Sequence, residues 1–525
     1  MRTLRNHRLL RVAALVALAA MLLCVPAFAA EEGAEAVNSM YGTFWALVPP
    51  IIAITLALIT KEAYSSLFIG VLVGALFSCE FAPVATLDMI VNDGLVAAVA
   101  DNAGIFLFLV FLGIIVALVN AAGGSAAFGR WAEKNIHTRV GAQLATFALG
   151  VLIFIDDYFN CLTVGSVMRS VTDRHQISRP KLAYLIDATA APICMIAPIS
   201  SWAAAVSSTA EDLDIGITGI QLFIRAIPYN LYSLMTFAFI IALTCMKFEY
   251  GPMRKFEIKA AQGDLSMLDG AENEEGSSRG RVIDLLLPVL VLIVTCTAGM
   301  LYVGGFFGTD AFIGLPWGSL IALVVTVIDL VARRVVSFKD AMACVPKGFQ
   351  AMISPIIILT LAVSLKTTIT SLGAAVYVHD VMEGAAAFLY AMLPAVIFVV
   401  ACVLAFASGT SWGTFGILIP IVTAIFPASS ELLIIGISAC CAGAVMGDHC
   451  SPISDTTIMS SAGAQCNHLD HVATQIPYVI TVAAVCFVGF IVAGFAQNVY
   501  ITWIVTLALL LGTLFVIRSL ERKKA

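Results

Sequence analysis

Charge is what this chain has least of. Only 12% of its 525 residues are Asp, Glu, Lys or Arg, against 60% hydrophobic. A soluble domain carries roughly twice that charged share, so a water-soluble globular fold is excluded. No basic patch offers itself to a nucleic acid. Cysteine pairing is missing as well. The 13 cysteines lie singly in apolar runs, Cys440 and Cys441 apart, and read as buried thiols rather than a disulfide framework. Zinc-ligand spacing does not occur: Cys466-Asn467-His468-Leu469-Asp470-His471 fits no metal pattern and reads as a solvated loop. Gly409-Thr410-Ser411-Trp412-Gly413 matches the nucleophile-elbow pattern but lacks its strand-turn-helix context. No cofactor is implied, and an enzyme is not the expected class.

What the chain does have is apolar runs of spanning length, roughly 17–25 residues each. They predict an all-α polytopic membrane protein with roughly 11–15 membrane segments. Helices are expected near 44–60, 65–82, 103–122, 140–157, 181–207 and 226–246. A second set is expected near 282–303, 312–332, 352–372, 388–407, 412–427, 431–447, 474–496 and 499–518. Ahead of them, Arg2, Arg5, Arg8 and Arg11, an apolar stretch 12–25 and Ala27-Phe28-Ala29 predict a signal peptide over 1–29. An uncleaved first helix is the alternative. The mixed-charge stretch 247–281 reads as a linker between two halves, 40–246 and 282–498, and 499–525 as a final helix with a basic tail.

Basic residues orient this layout. Lys61, Arg130, Lys134, Arg139, Arg169, Arg174, Arg179, Lys181, the linker, Arg333, Arg334, Lys339 and the 522–524 tail fall on one side, provided 158–171 crosses back as a short or broken segment. The acidic stretches 88–101 and 211–214 fall on the other. The positive-inside rule then puts the C-terminus in the cytoplasm of a prokaryotic cell, and the N-terminus outside after signal cleavage. The halves also echo each other. Ala197-Pro198-Ile199-Ser200-Ser201 recurs as Ser451-Pro452-Ile453-Ser454-Asp455, at the spacing that also relates Gly94 to Gly348. Leu-Val-Pro at Pro49 echoes Leu-Leu-Pro at Pro288, with opposite predicted orientation. Inverted repeats with broken helices at the midplane are a hallmark of secondary transporters.

Four interrupted segments carry the chemistry. Carboxylates, hydroxyls, glycine and proline inside apolar runs are costly, and they mark ion or substrate sites. The first is Ile155-Asp156-Asp157-Tyr158, where one of two adjacent carboxylates faces a given site. The second runs from Asp187-Ala188-Thr189 through Pro192 and Pro198, which predict an unwound stretch. The third is Ser408 to Thr414. The fourth is Gly447-Asp448-His449-Cys450-Ser451-Pro452-Ile453-Ser454-Asp455-Thr456-Thr457, in which Asp448 and Asp455 flank a break. Hard cations such as Na⁺ take carboxylate, hydroxyl and carbonyl oxygens, and broken helices supply all three. The expected cation and proton carriers are Asp448 and Asp455, with Asp156 or Asp157 from the other half. Thr410, Ser411, Ser454 and Thr456 would be neutral oxygen ligands. His449 would tune pH sensitivity or hold a packing hydrogen bond, and Lys366 would be a countercharge or snorkel.

These residues, with Asp470-His471-Val472-Ala473-Thr474-Gln475-Ile476-Pro477-Tyr478 behind them, closely resemble the NhaC-type Na⁺/H⁺ antiporter family. Gly409-Thr410-Ser411-Trp412-Gly413-Thr414 and the Asp156-Asp157 segment look like the family's too, and the resemblance covers most of the chain after about residue 40. It implies an inverted-repeat secondary transporter exchanging Na⁺ for H⁺ across the cytoplasmic membrane, with Na⁺, H⁺ and the lipid bilayer as partners. It leaves open a small organic acid or amino acid as the transported species. A homodimer is compatible with it.

Overall fold

The computed structural model describes residues 38–60, 62–210, 218–267, 280–304, 311–374, 376–377, 387–427, 429–452 and 454–524. The predicted signal peptide, Lys61, the acidic stretch 211–214, Ile453 and the middle of the 247–281 linker lie outside them. The described part of the first half runs α1 (Val48–Thr60), α2 (Ala63–Ser78), α3 (Pro83–Asp101), α4 (Ala103–Ala122), α5 (Gly124–Asn135), α6 (Arg139–Leu152), α7 (Asp157–Arg174), α8 (Arg179–Cys194), α9 (Ser201–Ala210), α10 (Gly219–Ala226) and α11 (Leu231–Met246). After α12 (Gly251–Ala261) come α13 (Ile283–Gly304), α14 (Ala311–Ala332), α15 (Phe338–Ser371), α16 (Ala387–Ser408), α17 (Ser411–Ile425), α18 (Glu431–Cys450), α19 (Asp455–Ala464), α20 (His468–Ala496) and α21 (Val499–Lys524).

Among the described residues, eight helices are long and apolar enough to cross a membrane, nine if the bent pair α10–α11 is one span, and five more apolar helices are shorter. The short ones include α6 and α17, each the first or second part of a run broken inside the apolar layer. The chain is therefore an all-helical, polytopic membrane protein. Polar caps start many of the helices: Thr138, Ser178, Asn230, Ser337, Ser430 and Asn467 each accept a backbone N–H of the first turn.

Several expectations change. The run 140–157 is not one helix; α6 stops at Leu152 and α7 starts at Asp157, so Asp156 lies in the break and Asp157 opens the next helix. The acidic stretch 88–101 is helical, opened by Pro83 in the first turn and carrying an eight-residue π-helical section, Met89–Val96, with Asp88 and Asp93 outward. The linker contains α12. The loop assigned to 466–471 belongs largely to α20, because Asn467 accepts from the N–H groups of Leu469 and Asp470 and begins the helix there.

Ion pairs and backbone contacts gather the basic segments at one end of the bundle. Arg130 donates to Gly280 O and Arg174 to Glu133 O, Arg139 pairs with Glu257, Arg254 with Glu521, and Arg333 with Asp284. At the opposite end, Ser39 N–H donates to Glu80, and Gly42 N–H to Leu372 O.

Candidate functional site

Each half contains a helical hairpin followed by an interrupted helix: α6–α7 and α8–α9 in the first, α16–α17 and α18–α19 in the second. A break frees backbone groups that the membrane interior cannot hydrate, so their satisfaction has to be built in. At 153–156, the buried Asn160 amide donates to Gly150 O (2.7 Å) and Ile153 O (2.9 Å), closing the end of α6. At 195–200, Ser200 Oγ donates to Cys194 O (2.7 Å) and accepts from Ala203 N–H (3.0 Å), serving both helix ends at once. At 409–410 the chain turns through Gly409 at φ +69°, where a side chain would be strained, and Thr410 caps α17. At 451–454, Gln475 Nε2 donates to His449 O (2.6 Å), His468 Nε2 to Pro452 O (2.8 Å), and Ser454 caps α19.

The four breaks close into a ring. Ser201 N–H donates to Ile155 O (3.0 Å), joining the first to the second. Trp202 and Trp412, each second in its helix, meet edge to face at 5.9 Å and join the second to the third. Ser411 Oγ donates to Asp448 Oδ2 (2.7 Å) and Ser451 Oγ to Phe406 O (2.7 Å), joining the third to the fourth. Tyr158 donates to Asp455 Oδ2 (3.4 Å) and returns the fourth to the first.

Inside this ring, buried polar atoms go without partners. Asp157 is 1% exposed and Asp448 4% exposed. Each leaves its Oδ1 without a hydrogen bond among the described residues, as do Ser201 Oγ and the ring N–H groups of Trp202 and Trp412. Asp156 and Asp448 both lie within electrostatic reach of Asp157. Asp157 is the first residue of α7, and Asp448 is bonded to the first residue of α17. Two helix N-termini thus favour the two carboxylates. That partial charge would not offset three buried negative charges, so the bare oxygens are stable there with a proton or a cation on them.

A cavity of 670 Å³ reaches the ring between α4, α15, α7 and α19. Asp156, Tyr158 and Asp455 line it, with Asn120, Lys347 and Gln350 beyond them. Asp455 is exposed to this cavity, so the two aspartates flanking the fourth break have different surroundings: Asp448 is enclosed and Asp455 faces open space. Of the hydroxyls, Ser411 holds Asp448 directly. Ser454 Oγ and Thr456 Oγ1 lie 2.9 Å apart at the start of α19, and Thr410 Oγ1 is engaged with Gly413 N–H. His449 is buried against Tyr232 (Nδ1 to hydroxyl, 2.7 Å) and beneath Tyr184. Lys366 is buried on α15, a helix that packs against both α9 and α17.

Three residues have a place in the structure that the sequence did not give them. Trp202 and Trp412 form one of the contacts between the halves. His471, assigned to a solvated loop, is fully buried with its Nε2 3.2 Å from Asp187 Oδ2, which also accepts from Gln475 Nε2 at 3.1 Å. The spacing of His471, Gln475 and Tyr478 along one face of an apolar helix was the available signal.

The model that describes the Na⁺/H⁺ antiporter family matches residues 193–495. An uncharacterized protein of Haemophilus influenzae is 34% identical over 501 residues, spanning 90% of this chain and 95% of that protein. Among solved structures, the YdaH transporter of Alcanivorax borkumensis is similar with a TM-score of 0.43 at 14% identity, over 78% of this chain and 88% of that one. MtrF of Neisseria gonorrhoeae gives 0.43 at 11% identity, over 77% and 85%.

Proposed function

Because this chain belongs to the Na⁺/H⁺ antiporter family and is a multi-pass membrane transporter, we propose that it exchanges Na⁺ for H⁺ at the ring of broken helices. The observation that carries this reading is the pair of enclosed carboxylates, Asp157 and Asp448, each with one unpartnered oxygen. An enclosed carboxylate is stable when it holds either a proton or a cation, and its own burial makes the two compete. Na⁺ binding expels the proton; protonation expels Na⁺. If only a loaded ring reorients, the two fluxes are coupled in opposite directions.

In this reading Asp448 and Asp157 hold the cation or proton, with Ser411 as a hydroxyl ligand and Ser454 and Thr456 close by. Asp156 and Asp455 draw the cation into the 670 Å³ cavity. The recurrence of a helical hairpin and an interrupted helix in each half supports an inverted repeat. The basic end would face the cytoplasm of a prokaryotic inner membrane, with the C-terminus inside. A small organic acid or amino acid is the second reading, favoured by the buried Lys366 on a helix packed against α9 and α17. The first reading is also supported by the occupants of the helix N-termini: Asp157 and Asp455 are the chain's own carboxylates in first-turn positions a substrate carboxylate would seek.

Purified protein in liposomes with an imposed pH gradient tests the choice. Na⁺ added outside is expected to collapse the gradient. A gradient indifferent to Na⁺ and Li⁺, together with uptake of a labelled carboxylate or amino acid, would replace the first reading with the second.

A further inference from the structure

A second enclosed polar cluster lies beside the ring, between α8 and α20. On α8, Lys181, Tyr184 and Asp187 follow one another at about one-turn intervals; on α20, His471, Gln475 and Tyr478 do the same in the opposite direction. The two stripes interlock. Asp187 Oδ2 accepts from His471 Nε2 and Gln475 Nε2, Tyr184 packs on Tyr478 at 5.0 Å, and Lys181 Nζ stands 5.3 Å from both tyrosine rings. All six side chains are buried, with no more than 1% exposure.

The cluster is under-bonded in a consistent way. Asp187 Oδ1, His471 Nδ1 and Gln475 Oε1 have no partner among the described residues. At its far end Lys181 Nζ lies 3.0 Å from Glu249 Oε1, and the Tyr478 hydroxyl donates to Glu249. Glu249 in turn lines a cavity of 650 Å³ at the basic end, with Arg139, Arg254 and Glu257. Burial lifts the Glu249 carboxyl above the ordinary range while Lys181 opposes it.

We propose that Asp187 and His471 form a proton-holding site separate from the cation's ring, loaded from the 650 Å³ cavity past Glu249, Lys181 and Tyr478. The donor set selects the ion. One amide and one imidazole N–H already point at Asp187 Oδ2 and occupy the oxygen that a hard cation would take. A proton finds the bare Asp187 Oδ1. It bonds there while His471 Nε2–H stays on Oδ2, giving a neutral carboxyl–imidazole pair, and it leaves from the same oxygen. The other ionisable groups near the pair are Asp448, His449 and Cys450 on α18, His468 on α20 and Cys161 on α7. Asp448 links the two sites: a cation arriving on it removes the negative charge that favours the protonated Asp187 carboxyl, and the proton departs.

This inference rests on the exchange reading, and the test separates the two. Full-length protein in liposomes is assayed for Na⁺-driven proton flux and for ²²Na⁺/Na⁺ self-exchange, which needs no proton. Asp187→Asn and His471→Gln are expected to lower proton flux at least about tenfold while self-exchange stays within about twofold of wild type. The Gln variant keeps most of the volume and one N–H donor, so it carries the test if the Asn variant does not fold. Parallel loss of both fluxes in His471→Gln, or unchanged proton flux in both variants, would overturn the proposal. Wild-type protein with no Na⁺-linked proton flux would instead remove the exchange reading; if it moves an organic acid with protons, the same variants still decide this site through that flux.

Discussion

Asp448 keeps one carboxylate oxygen on Ser411 and leaves the other bare, and Asp157 across the ring also leaves an oxygen bare. Removing the charge from either should therefore abolish coupling rather than folding. Asp448→Asn and Asp157→Asn are each expected to cut Na⁺-driven proton flux by about a hundredfold or more with the protein still monodisperse. Ser411→Ala deletes one hydroxyl ligand and leaves the carboxylate, so a rise in the Na⁺ concentration for half-maximal flux is expected, with maximal flux largely kept. Asn160 is the structural counterpart. Its amide serves two freed carbonyls, and Asn160→Ala should cost about 1–3 kcal/mol, read as a lower thermal midpoint in detergent. The sequence made Asp448, Asp156 and Asp157 visible because carboxylates in apolar runs are expensive. It did not separate enclosed Asp448 from cavity-facing Asp455, since that difference arises from α4 and α15 standing back from α19. His471 was hidden for another reason: local polarity at 466–471 reads as solvent, and only the cap at Asn467 turns it into the first turn of a buried helix.

At the scale of elements, the four breaks were largely legible and the helix contacts were not. Pro198, Gly409 and Pro452 announce unwinding. The stop of α6 at Leu152 has no such signal; it depends on Asn160, a residue beyond the break, reaching back to accept the burden of two carbonyls. Glycines allow close approach between the halves. A Cβ on Gly463 would come within 2.6 Å of Cys161 O, and one on Gly165 within 2.5 Å of the Gly463 backbone. Gly463→Val should push α19 off α7, parting Tyr158 from Asp455. The expected outcome is flux reduced more than tenfold, with destabilisation of about 1–3 kcal/mol, seen by comparing flux and melting in the same preparation. Flux unchanged by a side chain at this crossing would mean that the ring need not close.

Across the whole molecule, the basic segments scattered from Arg130 to Arg522 converge on one end through contacts that the sequence could only arrange by counting spans. If that basic end faces the cytoplasm as proposed, a fluorescent protein fused to the C-terminus should fold and fluoresce, as it does only on the cytoplasmic side. Two cavities approach the buried polar groups, one reaching the ring through Asp156 and Asp455 and one ending at Glu249. The central claim, that one enclosed carboxylate set holds either ion, is tested most directly by adding Na⁺ to purified protein in weakly buffered detergent solution and reading proton release. Wild-type protein should release protons in step with Na⁺ binding, and Asp448→Asn and Asp157→Asn should release far fewer. Undiminished release from both variants would contradict the account.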